Sequence, residues 1–122
     1  MTSLIWLIQI LHYPSFQFIN PKKVSQFSAF HQHRISWIVL PMMIIEVATL
    51  IPLYLDNITN LVMTVSIGLL AAIWASTFLL QVPCHRQLRE GKTDPFISRL
   101  ITTNWIRTLC WTCKTGVLCF YL

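Results

Sequence analysis

Four pairs of polar residues recur one helical turn apart along an otherwise apolar chain: Gln9 and His12, His31 and Arg34, Gln81 and His85, Asn104 and Arg107. Histidine exchanges protons near neutral pH and is the commonest metal ligand. Arginine and asparagine anchor an oxygen through N–H donors. Brought together, these types form a site that holds an oxygen-bearing molecule and moves a proton to or from it. His12, His31 and His85 are also of the right type for a metal ion or for axial ligation of haem. The cofactor stays open, because no His-Glu-x-x-His, Glu-x-x-His or Cys-x-x-Cys-His stretch singles one out. Cys110-Trp111-Thr112-Cys113 has redox spacing, but it lies inside an apolar run without a strand-to-helix setting and reads as packing.

The elements that must position these residues follow from composition. Of 122 residues, 55% are hydrophobic and 11% charged, against roughly 25% charged in soluble domains. No Asp, Glu, Lys or Arg occurs from Asn57 to His85, a run longer than the ~20 residues that a helix needs to cross a hydrocarbon core. A soluble helical bundle would need broad polar faces that these segments lack. The expectation is an all-α integral membrane protein, an antiparallel four-helix bundle forming one domain over residues 1–122, with helices at about 2–18, 25–55, 58–82 and 95–121. Asn20-Pro21 ends the first helix, Leu55-Asp56-Asn57 turns the second into the third, and Pro83 ends the third. Asp94-Pro95 reads as a cap followed by proline in the first turn of the fourth. The uncharged start of the chain lacks the basic flank of a cleaved signal peptide and reads as retained.

The net charge of +5 reports orientation rather than nucleic-acid binding, since the nine Lys and Arg are scattered among embedded or interfacial segments. Lys22, Lys23 and Arg34 flank the first connection, and Arg86, Arg89, Lys92 and Arg99 the third, while the second has none. The positive-inside rule then puts both termini on the non-cytoplasmic side of a plasma or inner membrane, with every polar pair near the cytoplasmic leaflet. The four cysteines show no disulfide spacing.

At 100° per residue, each pair extends into a stripe. The stripes are Gln9, His12, Tyr13, Phe16; then His31, Arg34, Ile38, Met42, Ile45, Glu46, Thr49; then Trp74, Thr77, Gln81, His85; and last Asn104, Arg107, Thr108, Trp111, Thr115. Polar stripes facing lipid are costly, so the four are expected to face one another. The competing reading is that Arg34, His33, Arg99 and His85 reach separately to headgroups. Glu46 lies about 18 Å along its helix from Arg34, at a depth where a carboxylate must be protonated, paired or hydrated. Lys114 is its expected partner, either as a structural pair or as part of a ligand site. Gly68, Ala71, Ala72 and Ser76 are the expected small packing residues of the third helix.

Gln81-Val82-Pro83-Cys84-His85-Arg86-Gln87-Leu88, followed by Thr103-Asn104-Trp105-Ile106-Arg107-Thr108 and Trp111, resembles a family of small four-helix membrane proteins. That family includes the fungal anthrone oxygenases and many uncharacterised bacterial members. The resemblance covers about a third of the chain, and it implies a four-helix bundle with Asn104, Arg107 and His85 at the site. It also implies oxidation of a polycyclic phenol without an obvious cofactor. His85 stands where the family pattern has Asn, and the first helix is short at its outer end.

Two functions fit. In the first, the chain binds, and in one version oxidises, a flat lipophilic quinone-like or aromatic molecule. Arg107 and Asn104 hold its oxygen, His12, His31 or His85 exchanges the proton, and Trp111 stacks, with Gln9, Arg34, Gln81 and Glu46 completing the site. In the second, the chain is a non-catalytic subunit or assembly factor of a larger membrane complex, or a homo-oligomer, whose polar residues hold helices together.

Overall fold

The computed structural model describes residues 1–121 as four helices, with no strand among the described residues. They are α1 (residues 2–18), α2 (Val24–Asp56), α3 (Leu61–Arg89) and α4 (Phe96–Tyr121). A 3-10 turn at Pro21–Lys23 leads into α2, and the Asn20 side chain accepts the Lys22 N–H at 3.0 Å. α2 runs for 33 residues, through Pro41 and Pro52, to a turn at residues 57–60. α3 starts at Leu61 rather than near 58, because the Asn60 side chain accepts the N–H groups of Val62 (2.9 Å) and Met63 (3.4 Å) and so acts as the cap.

The expected stop at Val82 is corrected by the structure, in which α3 continues through Pro83 to Arg89. Proline lacks its N–H and crowds the carbonyl four residues back, which ends a regular helix. Here a π turn, Thr77–Gln81, sits immediately before it, and such a widened turn accommodates the ring. The same device precedes Pro14, where Ile8–His12 is π-helical. Each widened turn carries polar residues of the candidate site: Gln9 and His12 in one, Gln81 in the other. What ends α3 is Gly91 at φ +89, with Lys92 N–H donating to Gln87 O and Gly91 N–H to Leu88 O, both at 3.1 Å. That is the Schellman pattern.

α1 and α4 run antiparallel, joined in descending order by Thr2 to Thr115 (2.6 Å), Trp6 to Thr112 (3.0 Å) and Gln9 to the Ile101 carbonyl (3.1 Å). The Ser25 hydroxyl donates to the Arg89 carbonyl and ties the end of α3 to the start of α2. On α4, Ile97, Leu100, Asn104, Arg107, Trp111 and Lys114 are buried. Their strict three-four spacing has the 3.5-residue period of left-handed coiled packing. Met63, Ser66, Leu70 and Ile73 continue the same period on α3. The expected small-residue seam is corrected: Ser76 is buried, but Gly68, Ala71 and Ala72 are exposed. Ser66 and Ser76 are the small residues of the seam, alongside Met63, Leu70 and Ile73.

Apolar residues also cover the outside. Trp37, Ile44, Ile45, Leu53, Phe78 and Leu79 are all exposed, and the segments Pro21–Asp56 and Leu61–Arg89 are each long and apolar enough to cross a membrane. Two glycines test the packing in opposite directions. Gly91→Ala forces a side chain into the left-handed region and should lower stability by about 1 kcal/mol. Gly68→Ala meets nothing within 4 Å and should raise it by up to about 1 kcal/mol. Melting of the detergent-solubilised variants reads both signs.

Candidate functional site

The lower halves of the four helices meet around Gln9, which is 2% exposed. Its amide nitrogen donates to the Ile101 carbonyl, and its oxygen accepts from Asn104 Nδ2 (2.8 Å) and Thr108 Oγ1 (3.5 Å). With its nitrogen committed to Gln9, Asn104 turns its oxygen to Arg107, whose guanidinium donates at 3.3 Å. The Arg107 guanidinium lies 5.2 Å from the centre of the Trp111 ring, a cation–π distance. Trp111 Nε1 in turn donates to Glu46 Oε2 (2.9 Å), and Lys114 pairs with Glu46 Oε1 (3.2 Å). The expected Glu46–Lys114 pair is therefore present, and one polar chain runs from α1 through α4 to α2.

A second group lies beside it. His12 Nε2 and His31 Nδ1 are 2.6 Å apart, so one of them donates to the other and the pair holds at most one proton between those two nitrogens. The Tyr13 hydroxyl and His85 Nε2 are 3.2 Å apart. The His31 and His85 rings are 5.9 Å apart, centre to centre. All three histidines thus come together as expected. Among the described residues no three His, Cys, Asp or Glu are grouped to hold a metal ion.

Above these polar groups lies a cavity of about 260 Å³ between α2 and α3, floored by Tyr13, Gln81, His85 and Arg107 and walled by Val39, Met43, Trp74 and Phe78. Four of its lining residues carry buried polar atoms with no protein partner: Gln81 Oε1, His85 Nδ1, Arg107 Nε and Trp74 Nε1. Hydrogen bonding fixes the sense of Gln81. The Thr103 hydroxyl donates to the Arg99 carbonyl (2.7 Å), so it accepts from Gln81 Nε2 (2.9 Å) and leaves the Gln81 oxygen unpaired. The residues lining the cavity therefore hold one spare acceptor, two spare N–H donors and an imidazole nitrogen able to act as either, each atom itself buried.

Arg34 lies away from the cavity of Gln81 and Arg107 but lines a smaller recess, of about 200 Å³, with His12 and His31. It is exposed and stacks on Phe30, with the guanidinium 5.5 Å from the ring centre. The buried residues of α2 are Val24, Ser28, His31, Met43 and Leu50. Their mean direction lies about 60° round from His31, away from Arg34, at 100° per residue. Arg34, about 60° to the other side, ends some 120° from the interior. Ile38 and Ile45 are exposed on the same side as Arg34. Trp111 does not wall the cavity either: 1% exposed, it lies between Arg107 and Glu46, and Trp74 and Phe78 supply the aromatic wall. Val39 and Met43 join the site unforeseen, beside Tyr13 and the stripe tryptophan Trp74. Tyr13 and Trp74 already lay on the polar stripes, whereas Val39 and Met43 required the helix phase.

Comparison of the chain with protein-family models, curated proteins and solved structures finds no match. Glu46→Ala should destabilise the protein by about 3 kcal/mol, since it strands buried Lys114 and the Trp111 N–H. Replacing Glu46 and Lys114 together by Met should recover most of that loss. Thermal unfolding of the single and double variants checks it.

Proposed function

We propose that the chain is an integral membrane protein, an antiparallel four-helix bundle that binds a flat lipophilic molecule carrying an oxygen group, quinone-like or aromatic, in the cavity floored by Tyr13, Gln81, His85 and Arg107. The observation that carries this reading is the set of four unpartnered buried polar atoms around one apolar-walled space. Buried polar atoms without partners are rare and costly, and a group that pairs with them is what such a site lacks. Exposed apolar faces on α2 and α3 support the membrane setting. The placing of Lys22, Lys23, Arg86, Arg89, Lys92 and Arg99 supports a site in the cytoplasmic leaflet with both termini opposite.

A volume of about 260 Å³ lies just below the ~300–1,000 Å³ usual for ligand pockets. It suits a head of one or two rings, whereas a larger polycycle requires α2 and α3 to part. The Tyr13–His85 pair takes up or returns the ligand's proton, and His31 and His12 lie beyond it toward the surface. The resemblance to the family that includes the fungal anthrone oxygenases extends the reading to oxidation of a phenol. A second reading, a non-catalytic subunit or assembly factor, draws support from the recess of about 610 Å³ on the outer face of α2, lined by His33, Trp37, Leu40 and Ile44.

Absorption and mass spectra of protein purified in mild detergent separate these readings. An aromatic compound should leave with the wild-type protein and be lost from the Gln81→Leu/His85→Leu variant at unchanged helicity. A Soret band instead assigns the histidines to haem, and a ligand-free chain held to another protein assigns the subunit role.

A further inference from the structure

The charges inside the bundle do not balance, and that imbalance describes the ligand. Arg107 and Lys114 are the buried cations, 5% and 7% exposed. The chain has four acidic residues, of which Asp56, Glu90 and Asp94 are exposed. That leaves Glu46, and both of its oxygens are taken, one by Lys114 and one by the Trp111 N–H. Lys114–Glu46 is the one ion pair among the described residues. Arg107 is held by a neutral amide, an aromatic face and the neighbouring Tyr13 hydroxyl, none of them a carboxylate, with its Nε–H unpaired. A buried guanidinium without a carboxylate is among the most costly arrangements in an apolar interior.

Resting on the ring-ligand reading above, we infer that the occupant of the cavity is a weakly acidic ring compound bound as its anion, a phenol or hydroxyquinone whose negative oxygen pairs with Arg107. The other unpartnered atoms agree with that chemistry. His85 Nδ1 and Trp74 Nε1 supply further hydrogen bonds to ring oxygens, and Gln81 Oε1 accepts from a neighbouring hydroxyl, a group that a simple fatty acid lacks. The aromatic wall is built by Trp74 and Phe78, whose rings lie 5.5 Å apart.

The test uses the whole protein in detergent with two probes of nearly equal shape: 2-hydroxy-1,4-naphthoquinone, an anion at neutral pH, and its neutral 2-methoxy analogue. The acidic probe should bind at least tenfold more tightly than the methoxy compound, and Arg107→Met should abolish that preference while Arg107→Lys keeps part of it. Removing the unpaired charge should also raise the melting temperature of the ligand-free Arg107→Met protein above wild type, a readout that a purely structural arginine moves the other way. Equal binding of the two probes, or a preference that survives in Arg107→Met, overturns the anionic ligand while leaving a ring site. Binding of neither probe overturns both readings. Arg107-dependent binding of oleate alone overturns the ring and leaves a lipid carboxylate as the anion.

Discussion

Polar side chains buried on an apolar seam organise this fold. Arg107 occupies a position of the three-four seam of α4 where coiled packing calls for an apolar side chain, and Asn104 and Lys114 occupy others. Asn104 and Lys114 are satisfied from neighbouring helices and each fixes one neighbour, whereas Asn104 and Trp111, which hold Arg107, share its own helix. Asn104 fixes α1 through Gln9, and Lys114 fixes α2 through Glu46. Apolar packing alone is non-directional and leaves helices free to slide or rotate. These hydrogen bonds set depth and rotation.

The satisfaction is unequal along the bundle, and that inequality separates scaffold from site. Gln9, Asn104 and Thr108 use their donors and acceptors on one another, and Glu46 is engaged at both oxygens. Gln81, His85 and Arg107 each keep one polar atom without a protein partner, and with Tyr13 they line the same cavity. The two π turns contribute to this arrangement, because they carry Gln9, His12 and Gln81 just ahead of Pro14 and Pro83. The lower bundle is thus built around irregular backbone, while the upper half, with Leu50, Met63 and Leu70, is conventional apolar packing.

Much of this was legible in the residues. The four helices, the short turn near Asp56, the convergence of His12, His31, His85 and Arg107, and the Glu46–Lys114 pair all follow from hydropathy and from 100° periodicity, since polar groups on apolar helices have few places to go. Three features were not legible. Pro83 normally stops a helix, and α3 instead continues past it after a π turn, a conformation with no residue-level signature. The phase of α2 was misread because His31 and Arg34 were taken as one face. His31 sits at the edge of the buried arc, and Val24, Ser28, Met43 and Leu50 define its centre. Gly68, Ala71 and Ala72 suggested close packing by composition, yet they lie off the buried face, whose small residues are Ser66 and Ser76. The cavity itself depends on all four helices at once, so no local pattern announces it.

An experimental density map of the protein purified from its native source tests the central claim most directly, because it shows what meets Arg107 in the cavity. The account predicts a flat non-protein feature between α2 and α3, in contact with Arg107 and within hydrogen-bonding distance of His85 and Gln81. A cavity filled by protein side chains, or an Arg107 guanidinium turned out of the bundle to the surface, would contradict it.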